Sequence, residues 1–143
     1  MNNAERMRER VEYLQGRIER LKRLQRCTLE EYLRDETLRD AVERNFQVAV
    51  ECCTDIASHI IAGRGLRHPD KRRAVFQMLA QEGLLSWDRA GMMADLVGLR
   101  NRLVHLYLTV DPVKMYQYLQ EDVAHLETFL AFVIGYLERE AAQ

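Results

Sequence analysis

Met7, Val11, Leu14, Ile18 and Leu21 follow one another at alternating steps of four and three, with polar and charged residues filling the gaps. That spacing returns to one face of an α-helix every two turns, as in the a/d stripe of a packed seam. It predicts a long helix over about residues 3–26. Thr28-Leu29-Glu30-Glu31 then has the spacing of a capping box, so a short helix starts there. Asp35 is placed to cap a long helix that runs to about residue 62. Its inner face consists of Leu38, Val42, Phe46, Ala49, Cys53, Ile56 and Ile60, and Gly63 ends it.

Residues 63–71 read as a loop around Gly65 and Pro69. A short helix carries Val75, Phe76 and Leu79 and stops at Gly83. Ser86 is a plausible N-cap for a helix over about 87–105. The stretch "LTVDP" breaks it, with Asp111 as the next cap and Pro112 at the first helical position. One last helix is expected to run to about residue 139, with Tyr116, Leu119, Val123, Leu126, Leu130, Val133 and Leu137 facing in. No segment alternates as a strand would. The pattern predicts an all-α, up-and-down helical bundle: three long helices with one medium and two short ones, in a single domain over residues 1–143.

At 143 residues and 48% apolar, the chain has material for one core. No apolar run approaches the ~20 residues of a membrane span. The opening "MNNAERMRERVEY" lacks the apolar centre of a signal peptide, so a cytoplasmic location without membrane contact is expected. Cys27, Cys52 and Cys53 are odd in number and carry no C-x-x-C spacing, which points to reduced thiols packed in helices. His59, His68 and His125 are far apart, with no carboxylate at ligand spacing, so neither a metal site nor a cofactor is expected.

Charge is unevenly spread. The formal net charge is −1, so any phosphate-binding surface must be a local patch. Residues 5–26 carry eight basic and four acidic side chains; residues 28–43 carry two basic and six acidic. Either surface can balance the other or simply solubilise its helix. The loop "GRGLRHPDKRR" sets Arg64, Arg67, Lys71, Arg72 and Arg73 against Asp70 alone. It could meet a phosphate backbone, an acidic protein, or only water.

The densest chemistry lies in "RNRLVHLY", residues 100–107. Arg100 and His105 are five residues apart, about 140° around a straight helix, so they are not stacked neighbours. Asn101 and His105 are, and Asn101 can orient the imidazole. Such groups suit cleavage of an RNA phosphodiester. Imidazole can take the proton of the attacking 2′-hydroxyl or give one to the leaving 5′-oxygen. Guanidinium can neutralise charge that builds up on the phosphorus oxygens. One such histidine per chain is too few for a separate acid and base, whereas a two-fold dimer supplies two. Taken alone, the spacing is also what an ordinary helix end carries, because Arg and His both favour helix C-termini.

In its wider context, "GLRNRLVHLY" resembles the R-x4-H-x-Y signature of the HepT-type toxins of the HEPN superfamily, with Arg100, His105 and Tyr107 at the three positions. The order "LRDAVERNFQVAVECCTDIASHII", "VFQMLAQEGLLS", the motif and "YLTVDP" is similar too, and the likeness extends from about residue 10 to 135. Asn101 matches the polar residue that HEPN ribonucleases often place after the Arg.

The resemblance implies a HEPN-type helical-bundle homodimer with the motif in a cleft between protomers. It implies a metal-independent endoribonuclease acting as the toxin of a toxin–antitoxin pair. The partner would be a minimal nucleotidyltransferase antitoxin of the MntA type, which transfers AMP from ATP to the motif tyrosine, here Tyr107. Asp55 is a candidate supporting residue if it faces the cleft; as an acid beside the apolar stripe it can equally face solvent. The apolar stripe of residues 7–21 and the apolar last helix offer more seam than one small bundle readily hides, a second reason to expect a dimer. Two other readings stay open: a non-catalytic subunit that binds nucleotide phosphate through Arg100 and His105, and a purely structural dimerisation bundle.

Overall fold

The computed structural model describes residues 2–143. The elements run α1 (Asn3–Leu24), α2 (Leu29–Arg34), α3 (Glu36–Gly63), α4 (Ala74–Gln81), α5 (Trp87–His105), a 3-10 turn (Tyr107–Thr109), α6 (Pro112–Glu121) and α7 (Val123–Ala141). No strand occurs among the described residues, and none of the helices is long and apolar enough to cross a membrane.

Side chains at the helix starts take up the unpaired N–H groups there. Thr28 and Glu31 form a reciprocal capping box, and Asn2 and Glu5 form another. The carboxylate of Asp35 accepts from the Leu38 N–H, Ser86 Oγ from the Arg89 N–H, and Asp111 from the Val113 N–H. Two helix ends are closed by glycine. Gly65 and Gly83 both have φ of +72°, a conformation that costs other residues energy. Around them Leu66 N–H donates to Ile61 O and Leu84 N–H to Leu79 O, which closes α3 and α4 in the same manner. Gly63 is the last residue of α3, and the reversal falls two residues later, at Gly65.

α3 is the central post, packed against α1, α2, α4, α5, α6 and α7. Val42, Phe46, Ala49, Cys53, Ile56 and Ile60 are buried as their spacing predicts, and Leu38 is half-buried. The stripe of α1 is buried as well, against α3 and α7 of the same chain. This weakens one reason for expecting a dimer: the stripe of residues 7–21 is covered inside the protomer.

The expected last helix is divided at Asp122 into α6 and α7. Leu119, Val123, Leu126 and Val133 are all buried, so the apolar stripe passes through the bend without losing its face. α6 is tied to the α1–α2 corner. Tyr116 Oη donates to Cys27 O at 3.0 Å, Gln25 Nε2 to Leu119 O at 2.9 Å, and Gln120 Nε2 to Gln25 O at 2.8 Å. These ties fix where the chain must return after α5, and so where α5 ends.

Tyr32 of α2 is fully buried beside Tyr116, with ring centroids 5.7 Å apart. Its hydroxyl meets no hydrogen-bond partner among the described residues, and burial pushes the phenol pKa up. A buried, unpaired hydroxyl is a cost that an apolar isostere avoids. Tyr32→Phe is therefore expected to stabilise the chain by about 1 kcal/mol, a rise of roughly 3 °C in Tm. A melting curve shifted down by several degrees would mean that the hydroxyl is bonded after all.

Candidate functional site

α5 places its motif by how deeply each residue sits. Leu96, Val97 and Leu99 are buried, and Leu103 packs against the core from its edge. Arg100 falls between these positions and turns towards α3. Its side chain is 20% exposed, and Nη2 lies 2.8 Å from Glu51 Oε1. Nε donates to the same oxygen at 3.0 Å, and Nη1 donates to Asn101 Oδ1 at 3.2 Å. Gln47 Nε2 also donates to Glu51 Oε1, at 3.3 Å. The guanidinium is thus held from two sides.

The fit also sets the carboxyl's proton affinity. Partial burial pushes the pKa of Glu51 up. The hydrogen bonds from Arg100 and Gln47, with the charges of Arg100 and Arg44, outweigh this and leave it below its ordinary value.

Of the residues read from the sequence, Arg100 and Asn101 are brought together directly. Asn101 turns its oxygen to Arg100 rather than to His105, so its contact is with the cation and not with the imidazole it was expected to hold. His105 is the last residue of α5 and is exposed. Leu106 leaves helical geometry at φ −128° and ψ 40°, though its N–H still reaches Arg102 O at 2.9 Å. Tyr107 opens the 3-10 turn and is 66% exposed between two bare leucines, Leu106 and Leu108. Arg102, also in the motif stretch, points elsewhere and donates to Tyr118 Oη at 3.1 Å.

Asp55 is exposed and pairs with Arg72 at 3.5 Å. It lies one turn after Glu51 on α3. The acid that reaches Arg100 is Glu51, which the apolar pattern alone did not single out. Its signal was its position: a charged residue between Val50 and Cys52, both buried, must send its side chain along the helix edge. Arg72 comes from the basic loop and lines one narrow cleft together with Glu51, Thr54, Val97, Arg100 and Asn101.

The remaining nucleophiles and imidazoles sit apart. Burial pushes the Cys52 thiol up to about 11 and the Cys53 thiol well above its ordinary value, which keeps both protonated. His68 lies between Ser58 Oγ and Pro69 O, and His125 lies 3.5 Å from Asp122. No group of three or more residues able to hold a metal ion occurs among the described residues.

Because the native pKa of Glu51 is lowered, its pairing stabilises the fold above the ordinary carboxylate range. That contribution is lost as the pH falls through the lowered value. Glu51→Gln is expected to lower Tm at neutral pH, and the gap from the parent chain should close under acid. Thermal melts between pH 7 and 3 test this. A gap that stays constant across the range would show that the charge of Glu51 is not what matters.

The family model described as HepT-like, "Ribonuclease HepT-like", matches residues 14–133. An mRNA nuclease HepT of Shewanella oneidensis is 35% identical over 103 residues, covering 72% of this chain and 75% of that protein. A tRNA nuclease HepT of Aphanizomenon flos-aquae is 25% identical over 128 residues, covering 90% and 87%. A solved structure of the tri-AMPylated Shewanella oneidensis HEPN toxin in complex with MNT antitoxin superposes with a TM-score of 0.85 at 27% identity, covering 94% of this chain and 99% of that one. The family model spans most of the chain and the helical frame superposes on that toxin, and the chain belongs to the HepT-like ribonuclease family.

Proposed function

We propose that this chain is the toxin of a toxin–antitoxin pair: a metal-independent endoribonuclease that acts as a homodimer in the cytoplasm, with residues 1–143 as one HEPN domain. The observation that carries the reading is the fixed guanidinium. Arg100 is held by Glu51 and Asn101 on the helix whose exposed end presents His105. Glu51 takes Nε and one hydrogen of Nη2, which leaves an N–H on each terminal nitrogen for two phosphate oxygens.

In the reaction, an imidazole takes the proton of a ribose 2′-hydroxyl as its oxygen attacks phosphorus. The bond from phosphorus to the 5′-oxygen breaks, and that oxygen receives a proton. The products are a cyclic phosphate and a 5′-hydroxyl. Arg100 neutralises the charge that gathers on the non-bridging oxygens. His105 of each protomer supplies one of the two proton-transfer groups, so the site needs the second copy. Asn101 serves by orienting Arg100, and Asp55 by holding Arg72.

The partner in this reading is a nucleotidyltransferase of the kind complexed with the Shewanella toxin. Tyr107 is the acceptor. Its phenol oxygen attacks the α-phosphorus of ATP, the bond to pyrophosphate breaks, and the phenol proton passes to a base of the transferase. The AMP phosphate then stands beside Arg100 and His105, where it pairs with the cation and blocks RNA.

Two experiments test this. Cleavage of single-stranded RNA in the presence of a chelator is expected to leave cyclic phosphate ends, and Arg100→Ala or His105→Ala should each cost ~10²–10⁴ in rate. His105 is exposed, so His105→Ala keeps the fold and is the cleaner variant; full activity in that variant would sink the assignment. For the partner, mass spectrometry after incubation with the cognate nucleotidyltransferase and ATP should show added AMP on Tyr107 and none there in Tyr107→Phe. A fully neutralised toxin with unmodified Tyr107 would point instead to masking by the bound protein.

A further inference from the structure

The basic loop between α3 and α4 ends against the site. Lys71 and Arg72 sit in the turn that enters α4, where Ala74 N–H donates to Lys71 O at 3.1 Å and Val75 N–H to Arg72 O at 3.2 Å. The next side chains, Val75 and Phe76, are wholly buried, so the backbone of the turn is pinned to the core. From this fixed base Arg72 lines one side of a crevice shared with Arg100 and Asn101, too tight for more than a water molecule, so the two guanidinium groups are near neighbours.

The arginines of the loop are not equivalent. Arg64 lies 3.8 Å from Glu82 and Arg73 lies 3.9 Å from Asp95, both directed away from that cleft. Arg67 and Lys71 are exposed, and no ion pair involves either among the described residues. Arg72 pairs with Asp55 across 3.5 Å, with both side chains more than half exposed. An ion pair so open to water is weak and readily exchanged. The neighbouring pair of Arg100 and Glu51 is shorter and largely covered. Two acids one turn apart on α3 therefore hold two arginines in different ways: one fixed, the other parked.

We propose that Arg72, with Arg67 and Lys71, is a phosphate-binding track that carries a single-stranded RNA across the surface beside Arg100, and that Asp55 holds Arg72 only until a phosphate replaces it. This rests on the ribonuclease reading and adds to it the residues that grip the strand beside the scissile bond. It also gives a chain of net charge −1 a local means of holding a polyanion: five cations against one acid in the loop that abuts the site.

The test is fluorescence anisotropy of a labelled single-stranded RNA oligonucleotide on the cleavage-deficient His105→Ala chain, titrated across potassium chloride concentrations. Arg72→Gln is expected to weaken binding about five-fold or more and to flatten the slope of log K against log salt by about 0.7. Arg72→Lys should keep the slope, since it keeps the charge. Asp55→Asn should tighten binding, because it removes the competing carboxylate. A merely structural pair would make Arg72→Gln and Asp55→Asn behave alike. The Arg67→Gln, Lys71→Gln double variant should flatten the slope further.

Unchanged RNA affinity in Arg72→Gln overturns the track while leaving the nuclease reading intact. Unchanged RNA affinity with lost neutralisation by the nucleotidyltransferase also overturns it and assigns the loop to the partner protein. If the parent chain neither binds nor cleaves RNA, the ribonuclease reading fails and the track with it, a result distinct from either of these.

Discussion

Arg100 and Glu51, 2.8 Å apart, form the contact through which the core of the bundle reaches the proposed site. α3 is enclosed by six other helices, so the position of Glu51 is set by the whole core. Arg100 inherits that precision. A free arginine on a helix surface has about 2 kcal/mol of rotamer entropy to lose before it can hold a phosphate. Here Glu51 and Asn101 have already restricted it. Such pre-organisation is useful at a site where charge must be stabilised as it forms, because nothing then has to reorganise during the reaction. The same pairing protects the fold from a half-buried cation without a partner.

The other half of the site is built on the opposite principle. His105, Leu106, Tyr107 and Leu108 emerge as α5 ends, and all four are exposed. The chain leaves helical geometry at Leu106, and α6, to which it must return, is tied to the α1–α2 corner through Tyr116 and Gln25. A tight 3-10 turn covers the distance. Within one protomer nothing encloses the imidazole or the phenol. Two bare leucines around Tyr107 are an apolar surface of the sort that a second molecule covers. The fixed cation and the open nucleophiles thus divide two needs, stabilising charge and admitting a partner, between the inside and the end of one helix.

Much of the fold was legible because it is written in local chemistry. Thr28, Asp35, Ser86 and Asp111 cap where their types and spacing said they would, and the stripes of α1 and α3 are the faces that are buried. The bend at Asp122 was not legible for a physical reason. The N–H of Asp122 still donates to Tyr118 O, four residues back, and the apolar stripe crosses the bend in register, so no proline, glycine or change of period marks it. The dimer seam attributed to α1 shows the limit of a stripe as evidence. A stripe says that a face is covered and not by what, and here α3 and α7 of the same chain cover it. At the site, Arg100, His105 and Tyr107 could be named because their motif, weak on spacing alone, came in a wider order of segments that resembles the family. Glu51 could not, because its role depends on a partner 49 positions away.

That separation explains why Asp55 stood out in the sequence and Glu51 did not, although one helical turn parts them. Both acids lie at the edge of a buried helix, and their roles differ in what arrives opposite. Glu51 meets an arginine on a packed helix, and the pair is shielded, short and permanent. Asp55 meets an arginine at the end of a loop, and the pair is longer and open to water. Coulombic attraction is weak where water screens it and strong where protein excludes it. One face of α3 can therefore position a cation at one level and lend a cation at the next. A strand of RNA meeting this face would find Arg100 waiting in place and Arg72 free to change partners, so that anchoring and chemistry need not compete for one guanidinium.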